Sequence, residues 1–313
     1  MPDQHLTRRD FLAVVGSAVV VATAPNVVSC ARATETEVST VTTSDGVKLK
    51  YMLAGAGRPL VMIPGWSQTA AQLKYQIAGL GQNYRVIAVD MRGHGESEKV
   101  NHGYKISRLA KDVHDILHKL NLHDVTLLGH SMGCAVIWCY WDMYGPERIS
   151  KLVLVDLAPF ITENPKWSPD EKRDAGAVLD AAGLYDFYNQ LTGPDAAKAT
   201  EEFFADGMVT KAMPADEKSW IIQQNFKLPR RYAADLFYSL ATQDWRDVIP
   251  RINIPTLVVG GKASFVPWTS QVWISQQIRG SRLEIFEENE GGAHFMFMEA
   301  PDKFNRIVSE FVG

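Results

Sequence analysis

The run Gly129-His130-Ser131-Met132-Gly133 sets one hydroxyl between two glycines at the spacing of a nucleophile turn. It follows an apolar, strand-like run at residues 125–128 and precedes a helical stretch that continues to about Tyr144. G-x-S-x-G in a strand–turn–helix setting brings the chain before and after the serine nearly into contact, so both flanks must be small. The serine is held in a strained backbone conformation, and its hydroxyl stands clear at the sheet's edge. The helix starting beneath it offers unpaired N–H groups and a positive dipole end, which suits a developing oxyanion. The chemistry this permits is attack by Ser131 on a carbonyl carbon, provided a base takes its proton.

Such a turn needs a sheet to carry it, and the chain supplies one. Residues 38–54 alternate around Ser44-Asp45-Gly46, the pattern of a hairpin. Beyond it, residues 60–63, 85–89, 125–128, 152–155, 256–259 and 283–286 are short runs of Val, Ile and Leu without alternation. Parallel strands covered on both faces read this way. Between them Leu109, Val113, Ile116, Leu117 and Leu120 share one helical face, and Pro301 opens a final helix with Phe304, Ile307, Val308 and Phe311 inward. Alternating β and α predicts an α/β fold with a doubly wound, mainly parallel sheet. Residues 160–244 break the rhythm. They show no strand but hold Trp167, Phe187, Tyr188, Phe203, Phe204, Trp220, Phe226, Tyr232, Phe237 and Tyr238 among helix formers. This predicts a helical cap, inserted after the strand that follows the nucleophile helix, with aromatics lining an apolar pocket. The core then divides into residues 34–159 and 245–313.

Four segments resemble the α/β-hydrolase family: Ile63-Pro64-Gly65-Trp66, Asp90-Met91-Arg92-Gly93-His94-Gly95-Glu96-Ser97, the serine turn, and Gly292-Ala293-His294-Phe295. The resemblance covers residue 38 to the C-terminus and is nearest to the esterase, lactonase and cofactor-free haloperoxidase (perhydrolase) branch. It implies that His294, on a loop after the last strand, is the base. It also implies an oxyanion hole made by the backbone N–H groups of Trp66 and Met132. The family usually has His-Gly before the first of these donors; here Pro64-Gly65 stands instead. The family's acid is usually an Asp four residues before a proline after the penultimate strand. Here Ala263 occupies that position, ahead of Pro267. Some branches carry the acid after the strand that follows the nucleophile helix, which makes Asp156 the expected acid and Ser264 a second, neutral partner for the imidazole. Among the other histidines, His114 and His118 lie i, i+4 without an H-E-x-x-H arrangement and read as a solvated helix face. His94 reads as structural, and His130 as the variable position of the turn.

Composition narrows the class. Hydrophobic residues make up 46% and charged residues 22%, the balance of a folded globular chain rather than a disordered one. With 32 basic and 36 acidic side chains there is no basic excess to grip a phosphate backbone, so nucleic acid is not an expected partner. Three cysteines, Cys30, Cys134 and Cys139, form no C-x-x-C pair, and the last two read as buried packing. The N-terminus carries Arg8-Arg9 before an apolar run of about fourteen residues, short of the ~20 that span a bilayer. It resembles a twin-arginine export signal over residues 1–33. Cleavage after Ala33 or lipidation at Cys30 are both open, and the expected location is the periplasm or a membrane-anchored lipoprotein.

These readings predict a serine hydrolase for small apolar esters or lactones, working through an acyl-enzyme with catalytic Ser131, His294 and Asp156 and no metal or organic cofactor. A perhydrolase (haloperoxidase) or a C–C bond hydrolase would use the same residues. A non-hydrolysing binding protein on the same fold is the alternative from a different class.

Overall fold

The computed structural model describes residues 35–204 and 208–313, so the export segment, with Arg8, Arg9, Cys30 and Ala33, lies outside the described residues. The chain runs through β1 (Glu37–Thr42), β2 (Lys48–Ala54), β3 (Pro59–Ile63), α1 (Lys74–Leu80), β4 (Arg85–Val89), α2 (Ile106–Lys119), β5 (Val125–His130), α3 (Met132–Tyr144) and β6 (Ile149–Val155). Next come α4 (Pro169–Ala175), α5 (Ala181–Thr192), α6 (Ala196–Phe203), α7 (Ala215–Asn225) and α8 (Arg230–Ala241). It closes with β7 (Thr256–Gly261), α9 (Trp268–Gln277), β8 (Arg282–Phe286), α10 (Met296–Glu299) and α11 (Pro301–Val312).

The strands form one 8-stranded sheet ordered β1-β2-β4-β3-β5-β6-β7-β8. The β1–β2 hairpin turns at Gly46, whose φ of 86° suits a residue without a side chain. β2 joins β4 antiparallel, and every pairing from β4 to β8 is parallel. β5 is buried along its whole length, because helices cover both faces of the sheet. Fully burying one Val, Leu or Ile side chain contributes about 1.5–3 kcal/mol before conformational entropy is charged against it.

From β3 the chain goes to β4 on one side and later returns to β5 on the other. The sheet order therefore reverses between β3 and β5. At such a switch point the loops beyond the strand ends diverge and leave a crevice. The loop after β3 carries Trp66 and the loop after β5 carries Ser131, so topology alone sets these two side by side.

Helix faces follow the sequence pattern with two exceptions, Phe311 and Leu120; Leu120 lies just past the end of α2 and is only partly buried. In α2, Leu109, Val113, Ile116 and Leu117 are buried. In α11, Phe304, Ile307 and Val308 are buried, but Phe311 stays half-exposed and Val312 takes the inward position. Residues 304, 308 and 312 form the buried i, i+4 row; Phe311 lies beside that row and sits under the Lys151 ammonium. Helices α4–α8 follow β6 and precede β7 as a cap. Its described residues contain no strand, only an isolated bridge between Thr162 and Leu179. Cap and core form a single compact unit.

Candidate active site

Two glycines decide the shape of the turn after β5. A Cβ on Gly129 would lie 2.5 Å from the Gly133 carbonyl, and one on Gly133 would lie 2.3 Å from the Ile63 carbonyl oxygen of β3. Neither position can hold a larger residue without moving backbone. Ser131 between them has φ 51° and ψ −122°, a conformation that costs about 1–3 kcal/mol and must be held by its surroundings. Its N–H is pinned to the Val155 carbonyl of β6 at 2.8 Å. Beneath the turn the Cys134 thiol bonds to the Gly129 carbonyl at 3.1 Å and accepts from the Val155 N–H at 3.2 Å. Burial pushes this thiol above its ordinary range, so it packs as a neutral group.

Asp156 closes β6 in the same way, with φ 57° and its N–H on the Val259 carbonyl at 2.9 Å. Its Oδ2 lies 2.7 Å from His294 Nδ1 and also accepts the Ser264 hydroxyl at 2.6 Å. Asp156 and His294 are both buried. Ser264 therefore bonds to the Asp156 carboxylate and not to the imidazole. Asp156 Oδ1 has no hydrogen-bond partner among the described residues. Burial pushes the Asp156 carboxyl well up, while the Ser264 hydroxyl and the Gly261 amide favour the carboxylate. Burial likewise pushes His294 down, to about 3, so the ring is neutral at neutral pH. With Nδ1–H donating to Oδ2, Nε2 keeps its lone pair and can act as a base.

Ser131 and His294 line the same cavity, of about 130 Å³. Leu157, Ile161, Phe203, Phe237, Leu240 and Phe265 form much of its wall, and no charged side chain lines it among the described residues. The N–H groups of Trp66 and Met132 donate to no other group among the described residues, so both stay available to an oxyanion. The loop that carries Trp66 is fixed on every side. The Trp66 indole N–H donates to the Ala233 carbonyl of α8 at 2.7 Å. The Ser67 hydroxyl donates to the Asn225 carbonyl at 2.7 Å and accepts from Arg230 Nη2 at 2.6 Å. The Ser67 N–H donates to His94 Nε2 at 3.2 Å, and the Asp90 carboxylate accepts the Ala70 N–H at 2.7 Å. His94 is buried and pushed down to about 4, so it is neutral and accepts there.

The cap aromatics divide, contrary to the expectation that they line the pocket together. Only Phe203 and Phe237 of that set reach the cavity. Phe187 and Phe204 pack on the Trp66 ring, Tyr232 stacks on Tyr104, and Tyr188 and Tyr238 border a separate outer groove. Several contributors escape a reading by motif. Phe265 sets its ring edge-on to His294 at 4.8 Å. His130 Nε2–H donates to the His294 carbonyl at 2.9 Å, and its Nδ1 lies 2.9 Å from the Gln68 side chain. The resulting chain of contacts links the Trp66 loop to the backbone of His294. Arg230 is pushed down to about 10 by burial and still carries its charge against the Trp66 loop.

A family model described as the alpha/beta hydrolase fold matches residues 58–301. The chain belongs to the alpha/beta hydrolase family. Among curated proteins it is 32% identical over 288 residues to the non-heme chloroperoxidase CPO-A1 of Kitasatospora aureofaciens, covering 87% of this chain and 98% of that one. It is 29% identical to 3-oxoadipate enol-lactonase 1 of Acinetobacter baylyi, over 76% of this chain and 82% of that protein. Among solved structures, the esterase EaEST of Exiguobacterium antarcticum superposes with a TM-score of 0.79 at 28% identity, covering 88% of this hydrolase and 98% of the esterase.

Proposed function

We propose that this hydrolase cleaves small, uncharged carboxylic esters or lactones through a serine acyl-enzyme. The observation that carries the reading is one cavity bordered by Ser131 and His294, with Asp156 Oδ2 2.7 Å behind the imidazole. In the mechanism, Ser131 Oγ attacks the carbonyl carbon as its proton passes to His294 Nε2. The oxyanion takes hydrogen bonds from the Trp66 and Met132 N–H groups, and the Asp156 carboxylate offsets the imidazolium charge. The tetrahedral adduct collapses as His294 gives its proton to the leaving oxygen. Water then attacks the acyl-enzyme with His294 again as base, releasing the acid and restoring Ser131. An apolar wall without a charged side chain supports neutral acyl groups, because an unpaired carboxylate buried there would go uncompensated.

A second reading rests on the chloroperoxidase relative. Hydrogen peroxide in place of water would attack the acyl-enzyme, leaving a peroxy acid and free Ser131. The first test is p-nitrophenol release from short-chain esters. The expected result is a burst stoichiometric with protein, and its loss in Ser131→Ala with the fold intact. A Ser131→Ala protein that retained more than about a tenth of the activity would refute the nucleophile. Binding of esters and lactones without any turnover would favour the binding-protein alternative.

A further inference from the structure

Two histidines of α2 take no part in the proposed hydrolase chemistry. His114 and His118 sit one turn apart on α2, with ring centroids 4.2 Å apart. Sequence alone offers them no third ligand. The fold brings one from the turn between α3 and β6: Glu147 Oε1 lies 2.8 Å from His118 Nε2, and Glu147 Oε2 lies 3.9 Å from His114 Nε2. Ligand atoms of the three residues all fall within 4.8 Å of one another. We propose that His114, His118 and Glu147 form a surface site for a divalent transition metal of the zinc class, separate from the catalytic cavity.

Chemistry and geometry agree on that ligand. Two imidazole nitrogens and one carboxylate oxygen suit zinc, and copper or nickel by the same donors, rather than magnesium or calcium. Zinc–ligand bonds of about 2.0–2.2 Å in a tetrahedron set ligand atoms ~3.4 Å apart. The present spacings bracket that value, and the exposed His118 and Glu147 side chains can adjust to it. His114 is the more fixed partner, with its ring stacked on Tyr144 at 4.2 Å. On the far side of the His114 ring the Asp115 carboxylate lies 4.0 Å from Nδ1, beyond hydrogen-bond reach. Two cations border the cluster: Lys111 Nζ lies 3.4 Å from His114 Nδ1, and Arg148 Nε lies 3.9 Å from Glu147 Oε1. His118 and Glu147 are exposed, so water can complete the coordination of a bound ion. Bound metal would staple α2 to the α3–β6 turn.

Isothermal titration of zinc into the chelator-treated full chain tests this. The expected result is one ion per chain with a micromolar dissociation constant, and a melting temperature raised by saturating zinc. His118→Ala and Glu147→Gln, both exposed positions, should each weaken binding by at least about tenfold and abolish the melting shift. Cobalt loaded in place of zinc should show the visible absorption of a four-coordinate nitrogen–oxygen site. Ester turnover should be the same with and without metal. No saturable binding would overturn the site. So would zinc binding that survives unchanged in both variants, because the ions would then be held elsewhere.

Discussion

Asp156→Asn isolates the role of the acid, because the amide has the carboxylate's shape without its charge. The amide must choose which atom faces His294. With its carbonyl there, the NH₂ group occupies the site of Oδ1, which has no partner among the described residues. Leaving a buried donor unpaired costs about 1–3 kcal/mol. With the NH₂ at the Oδ2 site, it donates both to His294 Nδ1 and to Ser264 Oγ, which can turn to accept. The second orientation wins, and it holds His294 as the tautomer protonated on Nε2. That nitrogen can then no longer take the Ser131 proton. The expected loss of kcat is about 10³–10⁴, or roughly 4–5 kcal/mol of barrier. KM and melting temperature should barely change. Ser264→Ala makes the contrast: it removes one donor to Oδ2 and leaves the tautomer alone, so its loss should stay near tenfold. The assay is steady-state and burst kinetics on a p-nitrophenyl ester, with thermal melts alongside. A healthy Asp156→Asn beside a crippled Ser264→Ala would refute the reasoning.

Gly133→Ala puts a methyl 2.3 Å from the Ile63 carbonyl, just before the oxyanion loop. It should cost about 1–3 kcal/mol in urea unfolding and lower kcat more than KM; wild-type kinetics would contradict the close approach. His94 is pushed down from 6.5 to about 4 by burial, so the unfolded chain binds its proton first as pH falls. Stability is therefore full above pH ~6.5 and declines below it, by about 3 kcal/mol from this ring alone at pH 4, with His130 and His294 shifted in the same direction. Urea midpoints between pH 7 and 4 read this; a flat profile would contradict it. The low-pH limb of kcat/KM should likewise fall below the ordinary imidazole value, because His294 protonates late. For the export segment we propose twin-arginine recognition: Arg8→Lys with Arg9→Lys keeps the charge but should leave the protein in the cytoplasm, and unchanged periplasmic yield by fractionation would reject it.

The sheet was legible because parallel strands leave a plain trace of short apolar runs. Their lengths were less so: the run at 125–128 extends as β5 to His130, since Gly129 and His130 pair with Leu154 and Val155. Hydrogen-bonded backbone does not need apolar side chains to continue a strand. Asp156 could be proposed because the family resemblance implies, for some branches, an acid after the strand that follows the nucleophile helix. The bond from Ser264 to the same Oδ2 depends on two loops meeting, and no local pattern encodes that. The division of the cap aromatics was hidden for a related reason. Helical spacing says which residues share a face, but not whether that face meets Trp66, solvent or an empty cavity.

The bonds from the cap to the oxyanion loop bear on how such a protein can be remodelled. Ser131 and Asp156 both precede the cap, on neighbouring strands whose register is set by the sheet. A different helical segment spliced between β6 and β7 would reshape the pocket wall and leave that pairing untouched. It would not be a free exchange. The incoming segment must still present one backbone carbonyl to the Trp66 indole and another to the Ser67 hydroxyl, as Ala233 and Asn225 do. A transplanted cap lacking those two acceptors would bring a new specificity to an enzyme whose anion-binding loop had come loose.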